Sequence, residues 1–186
     1  MAQSRKNIPS AVEAQFLNDM RAIVERISEL IVNDARKRVS PESTLTNLLQ
    51  LALSMESTFA VWCQRHMHLE RVSSDPSVRG TMKRRADAAM EDADRIAERL
   101  HQITGTTEFR VNWLPSASEP MSLDRWTFSR AVRDEIAAER LALECYGKLI
   151  HYVEQHDAPT AAILETIARA RRRRLRGGIG RQALAS

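Results

Sequence analysis

The 186-residue sequence predicts an all-α fold. Apolar residues recur every three or four positions through five long stretches, which gives each stretch one apolar face. Nowhere does the chain alternate with period two or carry a hairpin turn signature. Arginine, alanine, glutamate and leucine dominate and glycine is scarce, which favours helix over sheet. With 43% hydrophobic and 28% charged residues, the composition suits one globular domain with a sizeable core.

The first helix is expected from about Ser10 to Val39, where Phe16, Leu17, Met20, Ile23, Val24, Ile27, Leu30 and Ile31 form an apolar stripe. Ser40-Pro41-Glu42 ends it and starts the next, since serine caps a helix and proline fits the first helical position. The second helix, about Pro41 to Val72, buries Leu45, Leu48, Leu49, Ala52, Met55, Phe59, Trp62 and Met67. Ser73-Ser74-Asp75-Pro76 repeats that stop-and-start pattern. The third helix, about Pro76 to Ile103, ends at Gly105 as a C-cap. Residues 104–121 form an irregular crossover, whose Phe109, Val111, Trp113 and Leu114 should lie along the bundle. The fourth helix is expected from about Ser122 to His156. Asp157-Ala158-Pro159 breaks it, and a fifth runs from Pro159 to Arg176 before Gly177-Gly178. Short breaks make antiparallel helix pairs, and a long crossover lets two such pairs form a bundle of ferritin-type connectivity. Residues 1–40 are read as an N-terminal extension with an amphipathic helix, 41–176 as a four-helix bundle, and 177–186 as a flexible tail. The apolar face of the first helix must be covered by the bundle or by another subunit.

Charge is unevenly spread. Glu165 to Ser186 holds seven arginines and one acid, whereas the other 164 residues hold 21 basic and 23 acidic residues. Cys63 and Cys145 show no CxxC spacing, which suits a reducing compartment. Apolar runs stay well short of the ~20 residues that span a bilayer, and residues 1–6 lack an apolar signal core. A cytoplasmic protein with no membrane partner is expected.

Two acids stand at mid-helix among apolar neighbours: Glu56 beside Leu53, Met55 and Phe59, and Glu139 between Ile136, Ala138 and Leu143. A di-metal bundle site takes one Glu from each of two helices and Glu-x-x-His from each of the other two. Glu56 and Glu139 suit the lone-Glu role, and neither partner helix carries Glu-x-x-His. Around these positions the chain resembles the bacterioferritins, the haem-binding branch of the ferritin family, over roughly Ser43 to Leu175. Four stretches carry the resemblance: Leu48 to Glu56, Met90 to Leu100, Asp134 to Glu139 continuing through Leu149 to Tyr152, and Ile163 to Ile167. It implies a ferritin-like four-helix bundle with a long crossover, preceded here by an extra amphipathic helix. It places the two Glu-x-x-His motifs on Ala89 and Asp92, and on Arg171 and Arg174 or one residue later, depending on how the loop before the last helix is aligned. The implied di-iron site is therefore vestigial (Glu56, Asp92, Glu139), with no catalytic residue and no bound metal expected. In its place the expectation is a buried salt-bridge network of Glu56, Glu139, Arg171 and Arg174. The register agrees, because stepping from Ile163 and Ile167 along the buried side reaches Arg171 and then Arg174. The resemblance also puts Met90 at the haem-ligating methionine, so haem b is the one cofactor it implies. The plainer reading of Met90 is an apolar gap-filling contact.

Other features are weaker. His66 and His68, two apart, point to different faces and read as surface histidines. Asp87, Glu91, Asp94 and Glu98 read as a solvated acidic stripe, and both cysteines as core residues. No phosphate loop, nucleotide fingerprint or Ser-His-Asp pattern occurs. The functional expectation is a ferritin-like subunit without a competent ferroxidase centre. It would be a structural, partner or haem-carrying member of a homo-oligomer, or of a hetero-oligomer with an active subunit. The alternative is a nucleic-acid or acidic-partner binder that uses the Arg169–Arg176 segment, with Arg172, Arg173, Arg176 and Arg181 facing outward.

Overall fold

The computed structural model describes residues 11–37, 41–68, 76–106 and 128–177. The described residues form five helices and no strand: α1 (Ala11–Lys37), α2 (Pro41–Met67), α3 (Pro76–Thr104), α4 (Phe128–Val153) and α5 (Ala158–Gly177). The described residues form an all-α bundle, as the sequence predicts. Proline opens α2 and α3 as its sequence position implied. Gly105 closes α3 with φ 68°, a left-handed conformation that glycine adopts without a Cβ clash. Its amide donates to the His101 carbonyl at 2.8 Å. The crossover from 107 to 127, and with it Phe109, Trp113 and the expected start of the fourth helix at Ser122, lies outside the described residues. So does Arg181. Gly177, expected in the tail, is the last residue of α5.

Helices α2 and α3 share the most extensive contact, α4 and α5 form the second pair, and α1 packs on α4 and α2. One core joins them, with Met20 and Ile27 of α1, Leu48, Met55 and Phe59 of α2, Ile96 and Leu100 of α3, Leu149 of α4, and Leu164 and Ile167 of α5. The chain itself therefore covers the apolar face of α1. Phe16 stacks on Trp62 with ring centroids 4.7 Å apart. At the other end of α1, Asp34 accepts hydrogen bonds from the Thr44 and Tyr152 hydroxyls, both at 2.7 Å. Contacts at both ends make α1 and α2 an antiparallel pair.

His66 departs from the sequence reading: it is buried, its ring lies against Trp62, and its Nδ1 bonds to the Trp62 carbonyl at 2.8 Å. The imidazole thus continues the Phe16–Trp62 aromatic stack, which sequence spacing alone does not reveal. His68 is exposed, as are Asp87, Glu91, Asp94 and Glu98, while Cys63 and Cys145 are fully buried.

A polar clamp fixes the start of α5. Asp157 accepts from the Thr160 hydroxyl at 2.8 Å and from the Thr160 amide at 3.4 Å, as a helix cap does. From α3, Arg99 donates to Asp157 at 2.6 Å and to the Thr160 hydroxyl at 2.8 Å. Burial alone would raise the Asp157 carboxyl, but the Arg99 and Thr160 hydrogen bonds outweigh it and hold it below the ordinary value. Asp157→Ala removes the cap and takes from Arg99 its carboxylate partner. It should cost about 1–3 kcal/mol, read as a lower denaturation midpoint at unchanged m-value.

Candidate functional site

The centre of the bundle is charged. Glu56 sits in the middle of α2 and Glu139 in α4, each at most 1% exposed. Ionised carboxylates there need compensating partners, because burial removes their hydration. Arg171 supplies them. It is the largest fully buried side chain among the described residues, placed on the inner face of α5 by the same register as Leu164 and Ile167. Its Nε donates to Glu56 Oε1 at 3.1 Å and its Nη2 to Glu56 Oε2, a two-pronged pairing. Its Nη1 donates to Glu139 Oε2 at 2.6 Å. The guanidinium carbon lies 5.0 Å over the Phe59 ring, where the aromatic face favours a cation. Tyr146 completes the shell, its hydroxyl donating to Glu56 Oε1 at 2.5 Å.

Arg85 of α3 extends the network. It donates to Glu139 Oε1 at 3.1 Å, and its Nε lies 2.7 Å from Glu135 Oε1, close enough for an ion pair but off the line of a hydrogen bond. Its other terminal nitrogen reaches the Arg174 carbonyl at 3.5 Å. Further out, Asp92 of α3 is gripped by Arg174 at 2.8 Å and Arg95 at 2.7 Å. Four helices thus contribute to one connected set of charges. Glu56, Glu139, Arg171 and Arg174 lie within it as the sequence suggested, and so does Asp92. The sequence reading missed Arg85, Glu135 and Tyr146. Their signal was spacing: Arg85 stands seven residues before Asp92, Glu135 four before Glu139 and Tyr146 seven after it, each on the face already marked as inward.

Electrostatics follow from burial. Desolvation raises the Glu56 carboxyl, opposed by Arg171 and the Tyr146 hydroxyl. For Arg171, burial works against the cation, but Glu56 and Glu139 more than reverse it and keep the guanidinium charged. Glu135 is the exception. Desolvation raises it to about 7, with Arg85 pulling down and Glu139 pushing up. Three buried carboxylates (Glu56, Glu135, Glu139) meet two buried guanidiniums (Arg85, Arg171), and a proton on Glu135 balances them. Cys63 and Cys145 are held as thiols, their ionisation raised first by burial, so neither is a ready nucleophile.

Other sequence candidates fall elsewhere. Met90 points outward from α3 and is 42% exposed, so it fills no core gap. Arg172, Arg173 and Arg176 are exposed on α5. Among the described residues no group of three or more His, Cys, Asp or Glu side chains is placed to hold one metal ion. No described helix is long and apolar enough to cross a membrane.

Two consequences are measurable. Arg171→Met leaves the buried Glu56 without a cation and Glu139 with Arg85 alone, and should cost about 3–5 kcal/mol in chemical denaturation. The same substitution in a Glu56→Gln/Glu139→Gln background should cost far less, because no uncompensated charge remains. Glu135 also makes stability depend on pH. Its folded value of about 7 exceeds the ordinary 4.5, so the folded state holds a proton that the unfolded state has released. Its contribution is full below pH 4.5 and is lost as pH rises through 7. Glu135→Gln should therefore stabilise the protein by about 1–2 kcal/mol at pH 8 and hardly at pH 5, compared by urea midpoints at the two pH values.

Comparison with known proteins returns one family. A model described as ferritin-like domain, of the Ferritin family, matches residues 46–175. No curated protein and no solved structure matches the chain. The matched segment runs from the first turns of α2 to the last turns of α5 and takes in all the residues of the buried charge network. The chain belongs to the ferritin-like family.

Proposed function

We propose that this chain is a bacterioferritin-like subunit that works without a ferroxidase centre, as a structural or partner member of an oligomer. The observation that carries this reading is the Arg171 guanidinium, bound to Glu56 by two N–H groups and to Glu139 by a third. In the related site those two glutamates face a pair of metal ions. Here the oxygens that would meet metal accept from a fixed organic cation instead. The donor set also does not fit a metal pair. Ala89 has no ligand atom, Arg171 and Arg174 bring positive charge, and Asp92 is occupied by Arg95 and Arg174. A second cation between Glu56 and Glu139 would meet Arg171 at contact distance, which Coulomb repulsion in a dry core forbids. The guanidinium supplies a positive counter-charge where a loaded site would hold metal, so the bundle needs no metal to stay folded.

Elemental analysis of untagged protein, together with aerobic Fe(II) oxidation followed by absorbance, tests the proposal. The expected result is substoichiometric iron and an oxidation rate equal to that of a protein-free control. Stoichiometric iron that Glu56→Gln/Glu139→Gln abolishes would overturn it. Light scattering tests the subunit role, with an oligomer expected and a strictly monomeric protein counting against it.

A second reading concerns Met90. An outward-facing thioether at the position of the related haem ligand leaves its sulfur accessible to a haem b held between two copies. The purified protein's absorption spectrum decides it: a Soret band lost in Met90→Leu supports haem, and the absence of a band removes it.

A further inference from the structure

Once Arg171 and Arg174 are accounted for inside the bundle, the remaining arginines of α5 fall on its opposite side. Arg169, Arg172, Arg173 and Arg176 are exposed. Their separations of three, four and seven residues put them on one helical face about 10 Å long. Arg169 and Arg172 line a groove of about 350 Å³ between α4 and α5, together with Gly147, Ile150 and His151. On α4, Arg140 and Arg133 are exposed seven and fourteen residues before Gly147, so they continue the same side of the hairpin toward its open end. Helices α4 and α5 run antiparallel, which brings this stretch of α4 beside the C-terminal turns of α5. Arg133, Arg140, Arg172 and Arg173 make no ion pair among the described residues, while Arg169 makes a long ion pair with Glu165 at 3.8 Å and hydrogen bonds within its own helix to the Glu165 carbonyl at 3.3 Å and the Thr166 hydroxyl at 3.4 Å. The acids of this face, Glu154 and Glu165, lie at its turn end.

We propose that the outer face of the α4–α5 hairpin binds the phosphate backbone of duplex DNA without reading sequence. Charge complementarity selects a polyanion, and arginine forks match phosphate oxygens. The 10 Å stripe spans about three phosphates at 3.4 Å of rise per strand. Single strands are disfavoured because they are held by stacking on aromatic rings, and no large aromatic side chain is exposed among the described residues. An anionic membrane is disfavoured because Ile150 is half-buried in the groove and no bulky apolar side chain of this face is exposed among the described residues to enter the headgroup boundary. The surface is separate from the buried network and does not depend on the metal-free reading of the core.

Fluorescence anisotropy with a labelled mixed-sequence duplex tests it across a salt series. The expected outcome is binding at low salt whose log–log salt slope is about −3 to −5, with no preference among sequences. Arg172→Glu/Arg173→Glu should weaken binding at least tenfold and flatten the slope by about 2, as should Arg140→Glu to a smaller degree. The control Arg79→Glu/Arg84→Glu, with the same charge change on α3, should leave affinity within about twofold, since uniform net charge contributes little beyond a Debye length. Equal weakening by the control would reduce the effect to net charge and overturn the proposal. So would tighter binding to a single strand of the same sequence, binding only to vesicles containing anionic lipid, or no duplex binding at low salt. Thermal unfolding of each variant separates lost binding from lost fold.

Discussion

The structure turns on one buried cation. Arg171 reaches α2 and α4 from α5 with three hydrogen bonds, and Arg85 bridges from α3 to the same α4 glutamate. Remove the guanidinium and two carboxylates stand dehydrated in the middle of the bundle. An aliphatic core of the same volume would hold the helices together as firmly, because desolvation consumes much of what a buried ion pair gains. What the charges add is discrimination. A leucine can slide past another leucine at small cost, whereas a fork of N–H donors satisfies two carboxylates in only one alignment of three helices.

This arrangement also explains why so polar a centre coexists with ordinary packing elsewhere. The network is surrounded by Phe59, Leu164, Ile167 and Leu149, all buried. Phe59 offers its ring face to the cation rather than excluding it. Tyr146 adds its hydroxyl to Glu56 Oε1, the oxygen that also accepts from Arg171 Nε. The outward members, Asp92, Arg95 and Arg174, grade the charge toward solvent, so the dry interior gives way to water through a series of partners.

Much of this was legible in the sequence, for identifiable reasons. Helix ends carry chemical marks: the prolines at 41 and 76, the break at Asp157-Ala158-Pro159, and Gly105. Glu56 and Glu139 stood out because acids are rare in an apolar stripe, and Arg171 because four-residue steps from Ile163 and Ile167 lead to it. Arg85, Glu135 and Tyr146 were not legible, although each lies on an inward face. A basic, acidic or phenolic side chain at such a position can also snorkel outward, and which it does depends on a neighbour fifty or more residues away. His66 failed for a related reason: its burial comes from the Trp62–Phe16 stack between two helices, and no single helix contains that information.

The chain order of the network carries a consequence for synthesis. Glu56 and Glu139 leave the ribosome well before Arg171. Until α5 emerges, the first four helices cannot bring α2 and α4 together without dehydrating Glu56 with no cation beside it, since Arg85 reaches only the α4 glutamates. A nascent chain stopped after α4 is thus held open and hydrated at its centre, and docking of α5 closes it in one step. The counter-ion doubles as a completion signal: the interior becomes dry only when the whole bundle is present.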